Sequence, residues 1–228
     1  MKIMNHLLYR DDSTQYPWVR SPNIGGKVQA KYLIIHYTAQ RNAEATIRTL
    51  TDPYSNSRVS AHLVISRDGR ITQLVPFNTV AWHAGKSAWK GLHDLNQHSL
   101  GIELDNAGPL TRHSDGKWYS WFKEPYPDEE VIQAAHQQEP TKIRGWHKYT
   151  PAQLDRVLEV ATLLVKHYRL RDVLGHDDIA PGRKIDPGPA FHTKEFRAKV
   201  FKGMSEIVVS HLNIRTGPGR EYDTLGTP

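Results

Sequence analysis

Residues 175–189 have the sequence GHDDIAPGRKIDPGP, a loop that places His176 and Asp186 among prolines. A proline ring fixes its own φ and restricts the residue before it, so such a loop can hold side chains in place without a regular hydrogen-bond ladder. Lys184 lies between the two, a cation beside an anion. His176 and Asp186 are therefore candidate metal ligands, and Lys184 is placed to complement negative charge on a substrate.

A second histidine makes this loop more informative. The run IIHYTA at residues 34–39 continues an apolar, strand-like segment that ends near His36. Two imidazoles and one carboxylate are the ligand set of an open catalytic zinc site, in which water completes the tetrahedron. The chain has no cysteine, so nitrogen and oxygen donors would have to hold any zinc. The alternative is that these histidines are ordinary packed or surface residues, because the chain contains 13 of them.

Five short runs occur in an order that resembles one enzyme family. They are HYTA (36–39), VSAH (59–62), AWHAG (81–85), SLGIEL (99–104) and the loop at 175–189. The chain resembles the zinc-dependent N-acetylmuramoyl-L-alanine amidases, in particular the AmpD-like type 2 group, which is related to peptidoglycan recognition proteins. The resemblance covers about residues 30–200 and implies an α/β fold with a mixed central β-sheet flanked by helices. Residues 107–145 depart from the compact pattern and are predicted to be a variable insertion.

The resemblance also implies roles for individual residues. His36, His176 and Asp186 match the three Zn²⁺ ligand positions. Glu103 matches an acidic position beside the metal, where a carboxylate can move a proton from water to the leaving amine. Lys184 matches a second catalytic position, where an ammonium could stabilise an oxyanion. Taken alone, Asp186 is better explained as a turn cap before Pro187. The alternatives for the other two are that Glu103 is an ordinary half-exposed strand residue and that Lys184 is a solvated lysine paired with Asp178 or Asp186.

Four further residues are predicted to contact substrate: His62, Trp82, His83 and Asn106. The alternatives are that the histidines orient metal ligands through hydrogen bonds and that Trp82 packs in the core. Residues 108–145 are long for a connection in a compact domain. Their aromatic residues either pack onto the domain or form a groove wall that stacks sugar rings; these are Trp118, Tyr119, Trp121, Phe122 and Tyr126.

Local patterns predict several elements of the fold. Apolar spacing predicts a helix over 151–168, with Thr150 as N-cap and Pro151 in the first turn. A shorter helix is expected over 42–50, with Asn42 as its cap. Asp68-Gly69 predicts a hairpin between two strands. Further predictions are an irregular lead-in at 11–30, strands at 31–37, 100–104 and 172–175, and a small helix at 193–199.

Composition limits the class of protein and its partners. Hydrophobic residues at 38% and charged residues at 24% are ordinary for a globular chain. The net charge of +6 suits an anionic partner, but the basic residues are scattered and no nucleic-acid recognition motif is present. The charge agrees with a cell-wall partner but does not select one. The resemblance implies peptidoglycan or muropeptide as partner, and we expect no nucleic acid. No stretch approaches the roughly 20 apolar residues that span a bilayer.

The ends of the sequence predict the domain organisation. Residues 1–204 are predicted to form the catalytic domain, and residues 205–228 a partial bacterial SH3-like segment, because LNIRTGP at 212–218 resembles the start of such a module. The alternative is that this tail packs on the amidase domain. Residues 1–12 are too short and too interrupted for the apolar region of a signal peptide. Action at the cell wall or in the periplasm is expected, with the cytoplasm as the alternative.

The predicted function is hydrolysis of the amide bond between the lactyl group of N-acetylmuramic acid and L-alanine. The SH3-like tail and the aromatic insertion favour intact cell wall as the substrate. The absence of a recognisable signal peptide favours the alternative, a recycling amidase that acts on small soluble anhydro-muropeptides. A non-catalytic peptidoglycan-binding protein is a further alternative, but such proteins generally lack one of the metal ligands.

Overall fold

A computed structural model describes the backbone of residues 1–209, 214–215 and 224–226, and the side chains of residues 1–202. The strands are β1 (Lys2–Met4), β2 (Leu7–Tyr9), β3 (Ile24–Lys27), β4 (Tyr32–Tyr37), β5 (Leu63–Ile65), β6 (Ile71–Gln73), β7 (Thr79–Ala81), β8 (Ala88–Trp89), β9 (Leu92–His93), β10 (Ser99–Leu104), β11 (Pro109–Arg112), β12 (Trp118–Tyr119), β13 (Pro125–Tyr126), β14 (Val131–His136), β15 (Glu139–His147), β16 (Asp172–Gly175), β17 (Ile214–Arg215) and β18 (Thr224–Gly226). The helices are α1 (Ala43–Thr51), α2 (Pro151–Tyr168), α3 (His176–Ile179) and α4 (Thr193–Val209). Within the described residues, no helix combines the length and apolar character that a membrane crossing requires.

A five-stranded sheet with the order β16-β4-β10-β5-β6 forms the centre of the fold. β16 and β10 run parallel to β4, β5 runs parallel to β10, and β6 returns antiparallel to β5. The sheet is therefore mixed and has helices packed against it, which confirms the predicted α/β class. Because the parallel strands end at one edge, residues at the ends of β16, β4 and β10 lie side by side.

Alternation along β4 decides which residues reach the site. Leu33 and Ile35 pack in the main core with α2 and α4, whereas Tyr32 and Ile34 belong to a separate cluster. Successive side chains of a strand point to opposite faces, so His36 shares the face of Tyr32 and Ile34. Helices α2 and α4 thus cover one face of the sheet, and the site lies on the other face, where α1 and α3 also pack.

Strand β10 repeats this alternation. Leu100, Ile102 and Leu104 are fully buried in the main core, which leaves Gly101 and Glu103 on the face of His36. Burying aliphatic side chains of this kind contributes about 1.5–3 kcal/mol each relative to exposure. The apolar residues therefore fix the register that places the polar ones.

The helix caps confirm two predictions from local sequence. Thr150 Oγ1 accepts a hydrogen bond from the Gln153 backbone N–H at 3.1 Å, and Gln153 Oε1 accepts from the Thr150 N–H at 3.2 Å. This capping box, with Pro151 in the first turn, begins α2 where predicted. Asn42 Oδ1 likewise accepts from the Ala45 N–H at 2.8 Å at the start of α1.

The region predicted to be a variable insertion forms a second five-stranded sheet, β13-β12-β11-β15-β14, with all pairs antiparallel. We call β11–β15 the insertion sheet. Its own cluster contains Leu110, Trp118 and Val131, with Phe122 and Tyr126 packed against it. Three of the five aromatic residues thus pack within a separate sheet that the sequence pattern did not reveal, whereas Trp121 is 69% exposed.

Two further segments differ from expectation. Within the lead-in predicted to be irregular, Ile24–Lys27 forms β3 and pairs antiparallel with β7. Helix α4 begins at Thr193 as predicted but continues to Val209, so residues 205–209 are helical. The predicted SH3-like segment falls largely outside the described residues, and both it and the boundary at residue 204 stay predictions.

Candidate metal and catalytic site

The carboxyl edge of the central sheet gathers the predicted site. His36 in β4 and Glu103 in β10 are paired in register, each one residue before the end of its strand. His176 follows β16 directly, as the first residue of α3. The chain then returns to the same edge, where the Asp177 backbone N–H donates to the Asp186 carbonyl at 2.9 Å. Residues distant in sequence thus meet at one place.

The donor atoms of His36, His176 and Asp186 form a nearly equilateral triangle. His36 Nδ1 lies 2.9 Å from both His176 Nδ1 and Asp186 Oδ2, and His176 Nδ1 lies 3.0 Å from Asp186 Oδ2. All three residues are buried, at 1%, 3% and 6% exposure. The structure therefore brings together the three residues that the sequence predicted as ligands.

This donor set fits a metal ion. With ligands at about 2.0–2.1 Å, a tetrahedral metal separates neighbouring donors by about 3.3 Å, only slightly more than the triangle has. Two imidazole nitrogens and one carboxylate oxygen converge on one point, where a cation would satisfy all their lone pairs. Three donors also leave a tetrahedral position for a further ligand, as open catalytic sites require.

The electrostatics of the triangle favour metal-ready protonation states. Burial, with the nearby charge of His176, lowers the pKa of His36 to about 4, so its imidazole is neutral at pH 7. Burial alone would raise the pKa of Asp186, but hydrogen bonds from His176 and His36 outweigh it and hold that pKa below its usual value. A neutral imidazole and an ionised carboxylate are the forms that bind metals.

Hydrogen bonds on the far side of each ring orient the two histidines. His176 Nε2 lies 3.0 Å from the Ala84 carbonyl, a contact that turns Nδ1 towards the triangle and in which Nε2 would carry the proton when Nδ1 binds a metal. The guanidinium of Arg183 donates to the same Ala84 carbonyl at 2.7 Å and to the Lys86 carbonyl at 2.7 Å. His36 Nε2 lies 3.0 Å from His83 Nδ1.

Gly101 leaves the space that His83 occupies. A Cβ at position 101 would lie 2.5 Å from His83 Cγ, closer than any side chain tolerates. The ring of His83 therefore packs over the backbone of β10 and reaches His36. The glycine of the SLGIEL run thus supports the orientation of a candidate ligand.

Glu103 is the carboxylate beside the triangle. It lines a cavity of about 390 Å³ together with His36, His176 and Asp186. Burial, with the charge of Asp186, raises the pKa of Glu103 well above its usual value, against the opposing effect of Lys184. Among the described residues, no donor reaches its buried Oε2. A buried carboxyl group with a raised pKa and an unpaired oxygen can exchange a proton with a molecule in the cavity.

Lys184, Trp82 and His83 line this cavity and also an adjoining one of about 740 Å³. The two cavities form a cleft that passes the donor triangle. The larger cavity is bounded by the start of β3 and the residue before it, the segment after α1 and the segment after β7. Its lining residues include Asn23, Ile24, Pro53, Arg58, Val59 and Gly85. Lys184, Trp82 and His83 thus border the cleft beside the donor triangle, and their predicted roles stay predictions.

His62 and Asn106 are placed differently from expectation. His62 is fully buried, with Nε2 3.0 Å from the Thr79 carbonyl and Nδ1 accepting from the Gly101 N–H at 3.0 Å. Asn106 is buried, donating from Nδ2 to the His147 carbonyl at 2.9 Å and accepting from the Gly108 N–H at 2.8 Å. Their polar atoms are used within the fold, so we do not carry either residue into the substrate cleft.

Arg183 and Gly101 were not among the residues predicted from the sequence. Arg183 lies inside the GHDDIAPGRKIDPGP loop beside Lys184, and its hydrogen bonds tie that loop to the segment after β7. The proline-bounded loop indicates that its residues belong to the site. The local sequence does not indicate which backbone carbonyls the Arg183 guanidinium will reach.

Comparison with known proteins decides the family. A family model described as N-acetylmuramoyl-L-alanine amidase matches residues 26–189. The chain belongs to this family. The match covers the central sheet, the donor triangle, Glu103 and the whole insertion sheet. These parts of the fold are therefore within an amidase-family domain.

Two proteins of Escherichia coli strain K12 are similar in sequence to this amidase-family chain. N-acetylmuramoyl-L-alanine amidase AmiD is 34% identical over 170 residues, covering 71% of this chain and 50% of AmiD. The 1,6-anhydro-N-acetylmuramyl-L-alanine amidase AmpD is 36% identical over 147 residues, covering 64% of this chain and 60% of AmpD. The alignments thus span 50% to 60% of the length of these relatives.

Solved amidase structures share the fold. A selenomethionine derivative of AmpD superposes with a TM-score of 0.61 at 27% identity, covering 87% of this chain and 99% of that one. E. coli AmiD in complex with the substrate anhydro-N-acetylmuramic acid-L-Ala-D-γ-Glu-L-Lys superposes with a TM-score of 0.55 at 28% identity, covering 92% and 72%. The mixed sheet and flanking helices are therefore those of AmpD- and AmiD-like amidases.

Proposed function

We propose that this chain is a Zn²⁺-dependent N-acetylmuramoyl-L-alanine amidase that acts on soluble anhydro-muropeptides. The single observation that carries the proposal is the buried triangle of His36 Nδ1, His176 Nδ1 and Asp186 Oδ2, with edges of 2.9, 2.9 and 3.0 Å. Nitrogen and oxygen donors of this kind suit zinc, and three protein ligands suit a catalytic site. In this proposal the three residues hold Zn²⁺.

The reaction breaks the amide between the lactyl carbonyl of N-acetylmuramic acid and the amine of L-alanine. When bound, Zn²⁺ supplies a Lewis acid that activates water at neutral pH and polarises the carbonyl. Glu103 accepts a proton from the attacking water at its carboxylate and returns it to the leaving nitrogen. Burial raises the pKa of Glu103, which makes its carboxylate a stronger base towards that water.

Lys184 and the cleft residues serve the developing charge and the substrate. The ammonium of Lys184 compensates the oxyanion that forms when water adds to the carbonyl, an interaction strongest in the transition state. Trp82 and His83 border both cavities of the cleft, and in this proposal they bind the sugar and peptide. Burial lowers the pKa of His83 well below its usual value, so its ring contacts substrate and His36 as a neutral group.

Two observations favour small soluble fragments over intact wall. Several of the similar proteins are named 1,6-anhydro-N-acetylmuramyl-L-alanine amidases. The AmiD structure contains an anhydro-muropeptide, and an amidase from Pseudomonas aeruginosa, with a TM-score of 0.54 at 27% identity, contains an anhydromuramic pentapeptide. We therefore propose soluble anhydro-muropeptides, the alternative in the sequence analysis, in place of intact wall as the main substrate. Where the protein acts, at the cell wall or periplasm or in the cytoplasm, stays a prediction.

Product analysis tests the proposal. The zinc-loaded chain is incubated with anhydro-N-acetylmuramic acid-L-Ala-D-γ-Glu-L-Lys and, separately, with intact sacculi, and the products are identified by mass spectrometry. We expect free anhydro-sugar and free tripeptide from the first, at a much higher rate than peptide release from the second. Faster release from sacculi would restore the cell-wall role, and binding without any cleavage would support the non-catalytic alternative.

A further inference from the structure

The insertion sheet reaches the proposed site through one turn. His136 ends β14, and Gln137 and Gln138 connect it to β15. His136 Nε2 and Gln137 Nε2 each lie 2.9 Å from Asp177 Oδ2. Asp177 is the residue after His176, so this turn packs directly against the loop at 176–186.

Gln138 makes three hydrogen bonds to the backbone of that loop. Its Oε1 accepts from the Gly182 N–H at 2.7 Å. Its Nε2 donates to the Asp177 carbonyl at 3.1 Å and to the Lys184 carbonyl at 3.2 Å. A side-chain amide has both an acceptor oxygen and two donor hydrogens, which this arrangement uses together.

The three contact points hold together two halves of the loop. On one side, the Asp177 N–H bonds the Asp186 carbonyl. On the other, the Arg183 and Lys184 N–H groups both bond the Ala180 carbonyl, at 3.1 and 3.0 Å. These local bonds fix each half by itself, whereas Gln138 connects Asp177 to the turn that carries Lys184.

We propose that Gln138 is a positioning residue that holds His176, Lys184 and Asp186 in their working arrangement. The inference rests on the proposed function, because it assigns those three residues to metal binding and catalysis. Gln138 acts only through the backbone of the loop. The insertion sheet is thereby a support for the catalytic loop in addition to any contact with substrate.

Two variants of the full chain test this role. Gln138→Ala removes the side chain, and Gln138→Met removes the hydrogen bonds while nearly keeping the volume. Gln133→Ala is the matched control, because Gln133 is exposed on β14, the strand that leads into this turn. Three measurements are made on each protein. The zinc dissociation constant is obtained by competition with a chelator, and kcat and KM are determined on the soluble anhydro-muropeptide. The rate of hydrogen exchange is measured at the Gly182 amide.

We expect both Gln138 variants to bind zinc more weakly and to lose kcat by about 10–100-fold, the usual cost of losing a group that orients metal ligands. KM should stay within about twofold, since substrate contacts are unchanged. Exchange of the Gly182 amide should accelerate in both, and the control should match the wild type in every measurement.

Four results would overturn the inference. They are zinc affinity and kcat equal to those of Gln133→Ala, an effect on KM alone, unchanged exchange at Gly182, and loss of folding in both variants. The exchange and zinc measurements do not require turnover. An inactive wild type would therefore contradict the proposed amidase function while the role of Gln138 in the loop is still decided.

Discussion

The central sheet and the insertion sheet meet at the loop of residues 176–186 but contribute to it differently. The central sheet supplies reactive side chains, because the parallel ends of β4, β10 and β16 place His36, Glu103 and His176 at one edge. The insertion sheet supplies contacts to the loop from a single turn, in which Gln138 bonds only the backbone. One sheet carries the chemistry, and the other holds the segment that completes it.

The difference follows from how each sheet is buried. Residues 32–36 of β4 are all buried, because α2 and α4 cover one face and the site covers the other. The insertion sheet is partly solvent-facing, with Ile143 of β15 68% exposed and Trp121 69% exposed. A sheet buried on both faces holds polar side chains at fixed distances, whereas a half-exposed sheet is suited to supporting roles and to contacts with a large substrate.

The largest effect is expected from removing a donor of the central sheet's edge. His176→Ala should lose bound zinc and, with it, nearly all activity. This loss should exceed the roughly 10–100-fold that is usual when a residue that only orients a metal ligand is removed. Elemental analysis and turnover of the soluble muropeptide measure both. His113→Ala, an exposed histidine of the insertion sheet region, is the control. Full zinc content in His176→Ala would contradict the proposal that the edge of the central sheet holds the metal.

A smaller loss, without loss of metal, is expected at Glu103. Glu103→Gln keeps the shape of the side chain but cannot accept the proton, so kcat should fall by about 10²–10⁴-fold. Zinc content should equal that of the wild type, measured on the same preparation. Wild-type turnover would leave Glu103 a packed strand residue and would reduce the contribution of the central sheet to metal binding alone.

Acid stability tests how deeply the central sheet is buried. Burial lowers the pKa of His62 to about 4 in the folded chain. Between about pH 6.5 and pH 4, the unfolded chain therefore carries a proton on His62 that the folded chain does not bind. Stability should therefore be constant above pH 6.5 and fall as the pH drops from 6.5 to 4, by about 3 kcal/mol from this residue. Urea unfolding at pH 7 and pH 4.5 measures the change.

The matched variant for this prediction is His62→Gln. It should be less stable than the wild type at pH 7, because two buried hydrogen bonds are disturbed, but should lose less between pH 7 and pH 4.5. His113→Ala should keep the wild-type difference. An equal pH difference in His62→Gln and wild type would assign the acid sensitivity to other groups.

The smallest effect is expected on the insertion sheet and should depend on the substrate. The indole N–H of Trp121 donates to the Ala39 carbonyl at 2.9 Å, which holds this exposed ring beside Ala39 and Gln40 at the margin of the cavity that contains the donor triangle. If the ring stacks on a glycan, Trp121→Ala should lower activity on intact sacculi by roughly tenfold, within the range for loss of an exposed aromatic contact.

Activity on the soluble muropeptide should change little in the same variant. Ile143→Ala, equally exposed on β15, should leave both activities unchanged. Equal losses on both substrates would mean that Trp121 supports the geometry of the site and does not bind polymer. Trp121 would then be a second positioning residue on the insertion sheet, beside Gln138.

Local patterns predicted those parts of the fold that depend on near neighbours. The bounds of α2, its Thr150 cap and the hairpin at Asp68-Gly69 rest on residues a few positions apart, and all are confirmed. The insertion sheet was not predicted as a sheet, because its strands are half-exposed and three of the five have only two to four residues. The pairing of β3 with β7 was also missed, since Gly25 and Gly26 resemble a turn in sequence.

The sequence by itself determined the residue types at the proposed site, because the order of its short runs and the proline-bounded loop single out His36, Glu103, His176, Lys184 and Asp186. Only the tertiary structure decided their geometry. His36 and Asp186 are separated by 150 positions, yet their donor atoms lie 2.9 Å apart. The tertiary structure also shows that His62 and Asn106 do not line the cleft and that Gln138 bonds the loop. The physical reason is that burial and hydrogen-bond partners depend on strand order and on the face to which each side chain points, and both are set by packing between segments far apart in the chain.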